Sequence, residues 1–116
     1  MGAMLEGYAD ASKREAEKIA ERHRQEGLID QELHDLGNLL DQDAAFLKEN
    51  EITHDIVQRS MRIAYKRSPV ATIHYAIEAG AYVTTIMRDG SHVTAKTTED
   101  CAKAVGEMLF AIMPRK

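Results

Sequence analysis

The chain has 116 residues, 44% hydrophobic and 29% charged, with a net charge of −4 and a mean hydropathy of −0.40. That length supports one hydrophobic core, and the absence of any run of about 18 apolar residues excludes a transmembrane helix, so no membrane partner is expected. A single cysteine excludes an internal disulfide framework; Glu6, Asp10, Lys13 and Arg14 break the N-terminal stretch where a signal peptide would need an apolar run, and a cytoplasmic protein is the expectation.

Met1, Gly2 and Ala3 read as an expression scar, and residues 4–116 as a single domain. Residues 8–26 predict a charged helix with a thin stripe of Ala9, Ala16, Ile19, Ala20 and His23, and Gly27 ends it. Opposite charges fall at helical neighbour spacings, as in Asp10–Arg14, Lys13–Glu17 and Arg22–Glu26. A helix this polar lies on a surface, pairs with another copy, or frays. Asp30 reads as the cap of a second helix to about residue 50, with Leu33, Leu36, Leu40, Ala44 and Leu47 on one face. The two would form a helical hairpin over residues 8–50.

A third helix is expected over residues 54–67, capped by Thr53 and stapled by Ile52 against Val57, with Ile56, Met61, Ile63 and Ala64 inward. Ser68 and Pro69 stop it and start a fourth helix over residues 69–79, with Gly80 as its left-handed cap. Arg88-Asp89-Gly90-Ser91 between two alternating runs predicts a two-stranded antiparallel hairpin, about residues 82–87 and 92–96. Thr97 to Asp100 start an apolar helix over residues 99–113, ended by Pro114, Arg115 and Lys116. The expected fold is therefore α+β and mainly helical: four N-terminal and central helices, one hairpin, and a C-terminal apolar helix covering it.

The last helix is apolar most of the way round. Ala102 and Gly106 permit close approach, and Val105, Leu109, Phe110 and Ile112 supply area, so these six residues are the expected homo-oligomer interface. Charge is segregated along the chain. Residues 1–55 hold 14 Asp/Glu against 6 Lys/Arg, whereas residues 56–96 hold 6 Lys/Arg against only Glu78 and Asp89. Arg59, Arg62, Lys66, Arg67, Arg88 and Lys96 are the expected face for an anionic partner, and the acidic first half could dock on a basic surface.

No motif for catalysis, a cofactor or a metal is present. His34-Asp35 and His54-Asp55, with Asp41 or Asp43, have the residue types of a metal site, but neighbours on a helix point apart and three ligands must converge. Cys101 in the first turn of a helix reads as a buried small residue, since Glu99 and Asp100 oppose a thiolate. His74, Tyr75 and Glu78 read as a core edge on the fourth helix.

The order helix, helix, helix, hairpin, helix resembles a winged-helix DNA-binding domain, and residues 68–83, ending Ile77-Glu78-Ala79-Gly80-Ala81-Tyr82-Val83, are similar to its passage from reading helix to wing. The resemblance implies that Arg88 and His92 at the wing, and Arg59, Arg62, Lys66 and Arg67, touch phosphates. The helix that would read bases offers only Thr72, His74, Tyr75 and Glu78, and the pI is near 5.7. The leading expectation is accordingly a small non-enzymatic regulator, inhibitor or immunity-type protein acting through protein–protein contact as a homo-oligomer. A winged-helix DNA-binding regulator is the alternative.

Overall fold

The computed structural model describes residues 2–114; Met1 of the presumed scar, and Arg115 and Lys116 read as ending the last helix, lie outside them. One long helix, α1 (Ala3–Leu40), is followed by a single 3-10 turn (Asp41–Asp43) and a short helix, α2 (Ala44–Glu49). Five strands follow, β1 (Ile52–Val57), β2 (Ser60–Tyr65), β3 (Ser68–Ala76), β4 (Ala81–Ile86) and β5 (His92–Ala95), and then α3 (Thr98–Ile112). The strands form one antiparallel meander in the order β1-β2-β3-β4-β5.

This corrects the expected fold: there is no helical hairpin over residues 8–50, and residues 54–67 and 69–79 form strands and turns. Gly27 does not end the first helix. A glycine inside a helix costs only about 1 kcal/mol against alanine, and the turns beyond it are held by the burial of Leu33, Leu36 and Leu40. Asp30, read as a cap, is an exposed residue in mid-helix.

The three N-terminal strands follow a period of two. Met61 and Ile63 on β2 and Ala71 and Ile73 on β3 are buried, with Arg62 and Thr72 between them on the other face. Pro69 sits inside β3 beside the register shift between Ile63 and Ala64, the kind of irregularity at which a sheet tolerates a residue without an N–H. The β1–β2 and β2–β3 turns are tight and left-handed. Gln58 and Arg59 have φ of 50° and 62°, and Lys66 and Arg67 have 49° and 68°. Gly80 does adopt the left-handed conformation, φ 59°, but within the β3–β4 turn and not at a helix end.

The strands flanking Asp89-Gly90 pair as β4 and β5, though as the far edge of the five-stranded sheet and not as a separate hairpin. Asp89 Oδ1 accepts from the Ser91 N–H at 2.9 Å, fixing that turn. Thr97 caps α3 by accepting the Asp100 N–H at 3.1 Å.

The helices share one face of the sheet. α1 lies over β3, α2 against β1, and α3 over β4 and β5 beside α1. Leu33 and Leu36 of α1 with Cys101, Val105, Met108 and Leu109 of α3 close over Met61, Ile63, Ala71, Ile73 and Tyr82. The opposite face is polar: Asp55, Arg62, Thr72, Thr85 and His92 stand in one cross-strand row. The molecule measures 77 × 27 × 24 Å, and its length comes from α1.

Candidate interaction surfaces

Within α1 the sequence changes character. From Leu33 onward leucines recur at three- and four-residue steps and bury fully. Before that, every residue from 3 to 25 is exposed, and Glu26 is the first to be partly covered. Residues 3–25 are thus an arm of about 35 Å at 1.5 Å per residue, standing clear of the body. It carries large apolar side chains in water: Met4 is 82% exposed, Leu5 50%, Tyr8 75% and Ile19 43%.

Along the arm Arg24 pairs with Glu21 at 3.0 Å, and Arg14 Nε donates to the Asp10 carbonyl at 3.4 Å. Its root is held where Arg59, in the β1–β2 turn, meets Glu26 at 2.8 Å. The arm is neutral, with five acidic and five basic residues over 3–25. The acidic excess of the first half lies instead on the body, where residues 29–55 hold eight Asp/Glu against Lys48 alone.

The residues expected at an oligomer interface divide. Val105 and Leu109, 2% and 3% exposed, pack in the protein's own core. Ala102 and Ile112 are half-buried against it, while Gly106 and Phe110 face outward. Between α2 and α3, Leu40, Phe46, Leu47, Val105, Gly106 and Leu109 line an apolar cleft of ≈ 80 Å³. Nothing lies within 4 Å of where a Cβ on Gly106 would stand, so a methyl there would enter open space.

The six expected anion-binding residues are not brought to one face. Arg59 is engaged by Glu26 at the arm end of the sheet, and Lys96 at the same end donates to the Ala79 carbonyl at 2.9 Å. Arg62 pairs with Asp55 at 3.2 Å on the open face. Lys66, Arg67 and Arg88 lie in turns at the opposite end, with Lys66 Nζ 5.5 Å from the centre of the Tyr65 ring. The arrangement of a winged helix is also absent from the described residues, because the segment offered as its reading helix is β3.

Of the His-Asp candidates, His54 Nε2 meets Asp41 Oδ1 at 2.7 Å, clipping the end of α1 to β1. His34 stays exposed on α1, and no group of three or more potential metal ligands occurs among the described residues. Cys101 is fully buried; burial pushes its thiol pKa up to about 11, which removes it as a nucleophile. His92 bonds Thr85 at 3.0 Å on the open face, away from Cys101. His74 is exposed on β3, while Tyr75 stacks on Tyr82 with ring centres 5.0 Å apart.

Sequence reasoning missed the polar junction at Tyr82. This buried side chain donates to a Glu32 carboxylate oxygen at 2.6 Å and lies 2.8 Å from Thr98 Oγ1, joining α1, β4 and the start of α3. Burial, then the Glu32 hydrogen bond, hold its phenol pKa well above the usual value. Only the pairing of β4 places Tyr82 beneath α1, so no local signal marked it.

No helix among the described residues is long and apolar enough to cross a membrane. Comparisons with protein-family models, with curated proteins and with solved structures gave no match.

Proposed function

We propose that this is a non-enzymatic binding protein that acts through protein–protein contact, with α1 as its contact element. One observation carries the reading. Residues 3–25 are held as a helix in water, displaying Met4, Leu5, Tyr8 and Ile19, although nothing in the body needs them there. Most of the stability of a protein helix comes from tertiary packing, which this stretch lacks, and apolar groups of this size on a free helix gain by covering. Helical arms with anchors at three- and four-residue spacing are read by grooves or by other helices. The body then serves as the mount: the Tyr82 junction, the His54–Asp41 clip and the Arg59–Glu26 pair fix the direction in which the arm leaves.

The test is site-directed photocrosslinking in the native host, with the probe at Ile19 or Tyr8 and a control at Thr72 on the open sheet face. The arm probes are expected to give discrete protein adducts, lost in an arm carrying Leu5→Asp, and the Thr72 probe none. Adducts from Thr72 alone, or a salt-sensitive shift of duplex DNA with no arm adducts, would overturn the reading.

A further inference from the structure

We infer that the arm's partner is a second copy of this chain, with the two arms packed antiparallel into a two-helix coiled coil; this rests on the arm being a contact element. The first support is a repeat. Leu5, Ser12, Ile19, Glu26, Leu33 and Leu40 are spaced by sevens, and Ala9, Ala16, His23, Asp30 and Gly37 form the interleaved series. In the body, Leu33, Gly37 and Leu40 are the members that bury. The arm therefore prolongs, in the same phase, a stripe already used for packing. A seven-residue spacing keeps a seam facing another helix only if the two wrap with a left-handed supercoil, whereas a solitary helix has no need of it.

The flanking charges then choose direction and register. With Ala16 of one copy opposite Ile19 of the other, Ser12 meets His23, Ala9 meets Glu26 and Leu5 meets Asp30 at the root of the arm, and Tyr8 falls beside Ile29. Glu15 then faces Arg22 across the seam, twice by symmetry. Sliding one arm by a heptad toward the tips sets Glu15 against Glu15 and Lys13 against Lys13. Sliding it the other way drives Ala9 onto Leu33, which the copy's own body covers completely. A parallel pair would stack Glu26 on Glu26 and leave Glu15 and Arg22 facing Ala20 and Gly27, without a partner. Of the four, this arrangement alone gives Glu15 a cationic partner with no like-charge contact and no collision with a covered residue. It is isologous, so it closes at two copies, and it puts the bodies at opposite ends.

Light scattering and small-angle X-ray scattering on the full chain across a concentration series test this. The expected result is a monomer–dimer equilibrium whose dimer spans about 115 Å, since two 77 Å chains overlap over about 39 Å of helix. Glu15→Arg and Arg22→Glu should each weaken the dimer about tenfold, and the two combined should restore it to within about threefold. Both residues are exposed, so the melting of the body reports that each variant still folds. A dimer no longer than the single chain's 77 Å, or a double variant as weak as the singles, overturns the antiparallel pairing. A chain that stays monomeric while the arm still crosslinks to other proteins overturns the second copy alone. Loss of both signals overturns the arm reading as well.

Discussion

Tyr82→Phe isolates the junction that ties α1 to the rest of the molecule. The substitution keeps the ring, its burial and its stack on Tyr75, and removes only the hydroxyl. That hydroxyl bonds the Glu32 carboxylate at 2.6 Å and Thr98 Oγ1 at 2.8 Å. A hydrogen bond to a charged group contributes about 1.5–3 kcal/mol, but Glu32 is only half-buried and can recover water, so a loss of roughly 1.5–2 kcal/mol is expected. Urea unfolding followed by circular dichroism should show a lower midpoint with an unchanged slope. The pH dependence separates this from simple repacking. A phenol pKa raised by folding gives stability that is complete below the unfolded value near pH 10 and is lost as pH climbs above it, by up to about 1.4 kcal/mol per pH unit. Cys101, also raised, adds a similar loss between about pH 9 and 11. Tyr82→Phe should keep the Cys101 component and lose the Tyr82 component. A stability loss under 0.5 kcal/mol with the wild-type alkaline slope would refute the reasoning.

Replacing Lys66-Arg67 with Asn-Gly should raise the urea midpoint by the equivalent of about 1–2 kcal/mol, because Asn and Gly adopt at less cost the left-handed conformation that Lys66 and Arg67 hold here; an unchanged or lower midpoint would show that the turn is not strained. Gly27→Ala has open space at its Cβ and should add about 1 kcal/mol to the helix, read as slower amide exchange on both sides of residue 27. Leu109→Asp places a carboxylate in the core and should unfold the chain at room temperature, whereas Ile19→Asp should leave the melting of the body within about 0.5 kcal/mol of wild type.

The parts of the fold that sequence revealed are those with explicit punctuation. Asp89-Gly90 marks a turn because glycine there reaches φ 72° without cost, and Thr97 marks the start of α3 because its hydroxyl answers a free backbone N–H. The first three strands lacked such marks. Gln58-Arg59 and Lys66-Arg67 take conformations that usually call for Asn or Gly, so two hairpins passed as continuous helix. Ser68-Pro69 fits a helix start as well as a strand bulge, and only the pairing partner at Ala64 decides between them. Ile56, Ile63 and Ala64 also satisfy a helical spacing, which hid the alternation of Met61 with Ile63 and of Ala71 with Ile73. For the interaction surface, composition showed a helix too polar to bury. Its detachment from the body became visible only once Gly27 proved to lie inside the helix.

The meander order has a consequence for biosynthesis. Each strand pairs with its sequence neighbour, so the sheet can grow as the chain emerges, with short loops to close at every step. Leu33, Leu36 and Leu40 are made before any strand, but their cover includes Val105, Met108 and Leu109, some 70 residues later. At about 5–20 residues per second, that apolar face waits several seconds for its lid. During that interval the nascent chain presents the whole stripe from Leu5 to Leu40, about one and a half times the length of the arm in the finished protein. A neighbouring nascent or finished chain would meet the arm when it is longest, which makes assembly on the ribosome the time of greatest exposure to both correct and incorrect partners.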